Sequence, residues 1–199
     1  MSTKTVFKYA SDFKRLPSVL TAAERKTLLN GPNKKKPTGF RNYVIILYFL
    51  YLGLRVSEAI NLRLDHVDWG SGRITILAGK NDRDRVLWLQ DHLLEASQRW
   101  LELRPSAGDY LFCTLGGAPL IDRYIREFVG RYATKGGLKK RVHPHCLRHT
   151  FATDLLSETR DIRLVQKALG HASVTTTMIY THVVDERLEF ALRNFRGVE

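Results

Sequence analysis

Apolar positions along this chain recur at helical spacing almost everywhere; one short region instead carries the runs and turn residues of a β-hairpin. The first helix signal is Thr21, with Glu24 three residues on as a capping box and Gly31 as a stop. The loop 30–39 is punctuated by Gly and Pro, and a core helix follows over about 40–53, built on the apolar run 43–54. That run closes at Arg55 and is too short to cross a bilayer, which takes about 20 residues. After a turn at Gly53, a shorter helix is expected from Val56 to Leu62. The segment RITILAGKNDRDRVLWL (73–89) sets two β-branched or aromatic runs around a polar turn with Gly79, Asn81 and Asp82, the pattern of a hairpin. Helical spacing returns over 91–103 through Leu93, Leu94, Trp100 and Leu101 and stops before Pro105. DYLFCT (109–114) reads as a third short strand, and helices are expected over 120–134, 144–157, 161–169, 173–180 and 184–196. The fold class is α+β: mainly α-helical, with a small antiparallel β-sheet near residues 73–89 and 109–114.

Composition narrows the partners. Hydrophobic residues make up 44% and charged residues 26% of the 199, the balance of an ordinary globular protein with a real core. The net charge of +12 points to a polyanion, nucleic acid first and an anionic membrane surface second. Residues 1–16 form a basic, weakly patterned tail, and Lys34, Lys35 and Lys36 crowd the loop 30–39, which is either a solvated loop or a phosphate contact. The N-terminal stretch lacks the apolar core of a secretory signal, so a cytoplasmic location is expected. Cys113 and Cys146 sit in apolar surroundings and are expected as reduced thiols.

The candidate chemistry gathers in the last third, where His145 and Arg148 stand in HPHCLRHTFAT, and His171 and Tyr180 in ALGHASVTTTMIYTH; Arg55 lies far upstream in GLRVSEAINLRL. Arginine forks match phosphate geometry and keep their charge. Histidine can donate to a phosphate oxygen or move a proton near neutrality, and tyrosine can serve as a covalent nucleophile. His145 and Arg148, three apart, share a helix face, and His149 lies near it. Zinc held by His143, His145, Cys146 and His149 is a poor alternative, because the spacing fits no common finger. Taken singly, His171 suits a helix C-terminus, Tyr180 suits a core position and Arg55 a surface one. The ordered set is what carries weight.

With these motifs, the chain resembles the tyrosine recombinase (phage integrase) family in its catalytic domain, over about residues 17–199. The motifs are GLRVSE with Arg55, Lys80 at the hairpin turn, HPHCLRHTFAT with His145 and Arg148, LGH with His171, and Tyr180 nine residues later. The resemblance implies a site-specific DNA recombinase of the integrase or invertase type, working without metal, ATP or other cofactor. Tyr180 would attack a DNA phosphate to give a 3′-phosphotyrosine and a free 5′-hydroxyl. Arg55 and Arg148 would clamp the non-bridging oxygens, and His145 and His171 would add hydrogen bonds, with His145 also able to receive the tyrosine proton. Lys80 would be the general acid for the leaving oxygen, and Glu58 would orient the site.

The resemblance also divides the chain into the basic tail 1–16, a catalytic domain 17–183 and a C-terminal helix 184–199. In that helix Leu188, Ala191, Leu192 and Phe195 make one apolar stripe, which packs either on its own core or, the favoured expectation, on a neighbouring protomer. Expected partners are double-stranded DNA at specific recombination sites, further copies of the chain in a homotetrameric synaptic complex, and accessory proteins, with no membrane. Most family members carry a core-binding domain before the catalytic one. About 16 residues stand there here, so the chain is expected to be a minimal recombinase or a fragment, with weaker and more salt-sensitive DNA binding. Two rival readings are a type IB topoisomerase-like relaxase and a catalytically silent or regulatory DNA-binding protein.

Overall fold

A computed structural model of the chain describes residues 18–77, 84–173 and 176–180. Its centre is the apolar run met first in the sequence. That run folds as α2 (Pro37–Leu52), which buries residues all round and packs against helices α4 (Asp91–Leu103) and α6 (Pro144–Thr159). A helix apolar on every side belongs in a core, and here other helices cover it. It begins three residues earlier than the expected 40, because Pro37 at its first turn has φ preset for a helix and no N–H to leave unbonded. It ends at Gly53, whose φ of 60° reverses the chain into α3 (Val56–Asn61).

Polar groups inside this core are paired. The Tyr48 hydroxyl meets Ser97 Oγ at 2.8 Å, joining α2 to α4. Asn42 donates to the hydroxyls of Tyr124 and Tyr132, each at 3.2 Å, joining α2 to α5 (Asp122–Lys135). The first helix, α1 (Ala22–Asn30), has the expected capping box between Thr21 and Glu24. A smaller apolar cluster of Ala152, Leu156, Val165, Leu169 and Tyr180 packs α6, α7 (Ile162–Leu169) and a 3₁₀ turn at Met178–Tyr180 together.

The sheet is antiparallel, in the order β1 (Val67–Asp68), β2 (Arg73–Ile76), β3 (Arg85–Trp88). In register, Val67 faces Ile74 and Ile74 faces Leu87. The mainly helical α+β class and the hairpin stand as expected, but the third strand is not 109–114. That segment is claimed by other partners: Leu111 N–H donates to Leu62 O at 2.8 Å, and Trp100 Nε1 donates to Leu111 O at 2.8 Å. It makes isolated bridges at Tyr110 and Cys113 instead of joining the hairpin.

Among the described residues of 173–180 there is no α-helix, and Met178–Tyr180 forms a 3₁₀ turn. Thr175, Thr176 and Thr177 follow Val174 as a β-branched run, which disfavours a helix. Lys80, the tail 1–16 and the helix 184–199 lie outside the described residues. Among the described residues no helix is long and apolar enough to cross a membrane.

Candidate active site

Arg148 is the anchor. It sits on the α2-facing side of α6 with 2% of its surface exposed. Its Nη1 donates to the carbonyl of Gly53, just past α2, and its Nη2 to the carbonyl of Leu169 at 2.7 Å, at the end of α7. Carbonyl oxygens left over at helix C-termini carry partial negative charge, so two helix ends converge on one guanidinium. Burial and the nearby charge of Arg55 lower its pKa to about 10, which leaves it protonated at neutral pH.

Glu58 gathers the cations behind the site. On α3 and 7% exposed, its carboxylate accepts Arg85 Nη1 and Nη2 at 2.8 Å each. Arg55 Nη1 donates to it at 3.2 Å, its backbone N–H at 2.7 Å, and Arg148 Nη1 stands 3.7 Å away. Burial pushes the Glu58 pKa up, but the bonds and charges of Arg85, Arg55 and Arg148 outweigh it, and the net shift is downward. One anion thus partly offsets three guanidiniums, while Arg55 keeps 30% of its side chain in solvent.

His171 follows Gly170, the left-handed cap of α7. Arg148 Nη2 meets its Nε2 at 3.2 Å, and its Nδ1 meets Thr177 Oγ1 at 3.0 Å. With Arg148 as donor, Nε2 is the bare nitrogen, so Nδ1 carries the hydrogen and donates to Thr177. Beyond this ring, between β3 and α7, opens a groove of about 660 Å³ walled by Arg85, Trp88, Arg163 and Lys167.

Tyr180 is 1% exposed, its ring seated in the smaller apolar cluster. Its hydroxyl lies 2.6 Å from His149 Nδ1. Burial raises its pKa to about 12, against the opposing pull of Arg148 and Arg55. His149 is pushed to about 4, by burial first and then by the charges of His145, Arg148, His143 and His171. His145, exposed at the start of α6, packs edge-on to His149 with ring centroids 4.2 Å apart. Desolvation, then Arg148, His143, Arg55 and Arg126, lower its pKa.

The fold therefore brings Arg55, His145, Arg148, His171 and Tyr180 to one place, and Lys80 lies outside the described residues. Three neighbours went unremarked in the sequence as parts of this site. Arg85 and Thr177 carry no local signal. His149 carries one, its i+4 spacing from His145, which in the sequence points no further than to a metal ligand. Among the described residues no group of three or more His, Cys, Asp or Glu side chains is arranged to hold a metal ion.

The phage integrase family matches this chain over residues 18–187. A tyrosine recombinase XerD of Staphylococcus aureus is 34% identical over 188 residues, covering 92% of this chain and 63% of that protein. The chain thus spans less than two thirds of this relative. The crystal structure of XerA recombinase superposes with a TM-score of 0.77 at 34% identity, covering 92% of this chain and 67% of that one. A XerH site-specific recombinase bound to its palindromic difH substrate, in a post-cleavage complex, gives a TM-score of 0.76 at 35% identity, covering 90% and 54%. By the family match and by these relatives, the chain belongs to the phage integrase family of tyrosine recombinases.

Proposed function

We propose that this chain carries the catalytic centre of a site-specific DNA recombinase that works through a 3′-phosphotyrosine. The observation that carries the reading is that the Tyr180 hydroxyl lies 2.6 Å from His149, the residue that follows Arg148 on α6, while Glu58 draws Arg55 and Arg148 together. Arg148 is held by helix-end carbonyls, and Arg55 is held by Glu58 with part of its side chain in solvent. A phosphodiester between them would have its non-bridging oxygens neutralised by donors already oriented, the condition for stabilising a pentacoordinate transition state.

In the reaction, Tyr180 Oη bonds to phosphorus as the bond to the 5′-oxygen breaks. The leaving oxygen takes a proton, for which Lys80 between β2 and β3 is the proposed donor. His145 donates to a phosphate oxygen, and His171 does so through Nε2 in its protonated form, with Nδ1 still donating to Thr177. The phosphodiester energy is kept in the phosphotyrosine, so rejoining needs no ATP and no metal. The cationic groove beside His171, with Arg163 and Lys167, suits the flanking DNA backbone.

Assembly is part of the same proposal. Segment 184–199 docks on a neighbouring protomer in a homotetramer on paired sites, with accessory proteins setting the outcome, in the cytoplasm. Deleting 184–199 should abolish DNA-dependent assembly; assembly and recombination that both survive would remove this element.

The central test is a nicked suicide substrate bearing the cognate site, incubated with the wild type and with Tyr180→Phe. A covalent adduct in the wild type alone is expected. An adduct persisting in Tyr180→Phe would overturn the nucleophile. No adduct in either would favour a silent DNA-binding protein.

A further inference from the structure

Two histidines of α6 pack edge-on, with ring centroids 4.2 Å apart, and they are placed differently toward Tyr180. His145 is exposed, at the mouth of the site. His149, one turn further along α6, is half-buried and directs Nδ1 at the hydroxyl from 2.6 Å. It follows Arg148 in sequence, so the backbone of one well-packed helix fixes it relative to the guanidinium expected to hold the phosphate.

The sense of this hydrogen bond follows from its surroundings. His149 faces ionisable groups from every side: His145 and the cationic Arg148 on its own helix, His143 at that helix's N-cap, and His171 beyond α7. Arg55 on the α3 side acts on its neighbours His145 and Tyr180, and Glu58 stands behind Arg148 as the compensating anion. Burial first, and then Arg148 and the neighbouring imidazoles, keep His149 neutral, while burial keeps the phenol protonated. The hydroxyl therefore donates, and Nδ1 is the bare nitrogen, with the ring hydrogen on Nε2. A base poised to take the proton needs this arrangement.

We propose that His149 orients the Tyr180 hydroxyl and removes its proton as Oη bonds to phosphorus, a role that rests on the phosphotyrosine reading above. The atoms balance without any further reagent. The Oη–P bond forms, the P–O5′ bond breaks, the phenolic proton passes to Nδ1, and the leaving oxygen is protonated by the general acid. On rejoining, the 5′-hydroxyl attacks as its proton returns to the deprotonated general acid, the P–O5′ bond forms, the Oη–P bond breaks, and Nδ1–H returns its proton to the phenolate.

The weak basicity of His149 in the free protein suits this role. A phosphate between Arg55 and Arg148 brings negative charge into the cluster of cations that depresses it. Opposite charge nearby favours the protonated imidazole, so DNA itself would raise the basicity of His149 where it is needed. Without DNA the pair stays neutral. His145 is left to donate to a phosphate oxygen.

The test is single-turnover cleavage of a nicked substrate with a 5′-bridging phosphorothioate, which needs no general acid, from pH 6 to 10, with DNA affinity measured in parallel. His149→Asn keeps an acceptor near the Nδ1 position but cannot take a proton. It should lose about 10²–10³-fold in cleavage at pH 7 with DNA affinity unchanged, the span expected of a lost general base. The deficit should shrink as hydroxide rises, and 2,3-difluorotyrosine at position 180, a more acidic phenol, should restore most of the rate. A wild-type rate and pH profile in His149→Asn would overturn the proposal. So would faster cleavage, which would make the bond a latch, and so would a loss uniform in pH that the fluorinated phenol does not relieve, which would make it packing.

Should His149→Asn fail to fold, ¹⁵N-histidine spectra of the wild type carry the same decision. Nδ1 should appear bare in the free protein and protonated in the trapped adduct, and a bare Nδ1 in the adduct would overturn the role. Failure of the wild type to form any adduct would instead strike the phosphotyrosine reading itself.

Discussion

Glu58 holds Arg85 by both terminal guanidinium nitrogens, at 2.8 Å each, with both side chains under 5% exposed. Removing one partner of a buried ion pair strands the other, at a cost of about 3–5 kcal/mol. Glu58→Gln should therefore unfold at markedly lower denaturant than the wild type. The pH dependence has a definite sign. Because the folded state depresses the Glu58 pKa below 4.5, its contribution is present above that value and is lost as pH falls through the folded pKa. Acid unfolding curves of wild type and Glu58→Gln should converge at low pH; curves that stay parallel would refute the assignment.

Gly53 should tolerate no side chain. Its φ is 60°, and an added Cβ would stand 2.3 Å from Phe151 Cδ1. Gly53→Ala should destabilise by about 1–3 kcal/mol from backbone strain, with the clash adding to it. Its carbonyl also holds Arg148, so cleavage should fall further than the loss of folded protein explains. Calorimetry and single-turnover rates at a temperature where the variant is folded would separate the two effects.

Thr177→Val deletes the acceptor of the His171 Nδ1 hydrogen while keeping the shape of a fully buried residue. The expected effect is about 1 kcal/mol, roughly fivefold in cleavage rate. DNA affinity should not move. A variant as fast as wild type would show that His171 needs no such support.

Binding of DNA should be steeply salt-dependent for a chain of net charge +12. A plot of log affinity against log salt falls by about 0.9 for each phosphate neutralised. Arg55→Gln should weaken binding to any DNA sequence and reduce that slope by about one. An unchanged slope in a fluorescence anisotropy titration would mean that Arg55 meets no phosphate.

The parts of the fold legible in the sequence are those written in local chemistry. Thr21 and Glu24 declare a capping box, Gly53 a chain reversal, and Val86 and Trp88 a strand after a polar turn. Segment 109–114 misled because a short apolar stretch says nothing of its partner. Its hydrogen bonds go to Trp100 and Leu62 and not to the hairpin. Over 173–180 the β-branched run Val174 to Thr177 works against the expected helix, and Met178–Tyr180 forms a 3₁₀ turn instead. The site residues that announce themselves are those with family motifs around them. The Arg85 bond to Glu58 spans 27 positions, and that of Tyr180 to His149 spans 31, distances over which no local pattern speaks.

The two carbonyls that hold Arg148 belong to opposite parts of the molecule. Gly53 closes the helix at the heart of the large core, and Leu169 is itself a member of the small cluster that seats Tyr180. The same guanidinium that would face the phosphate is therefore a rivet between two packing units. Any replacement at 148 loosens the joint as it empties the site, so a screen for lost recombination will find position 148 among unstable chains as well as inactive ones. Cleavage and folding stability at this position should fall together, with no substitution that moves one alone.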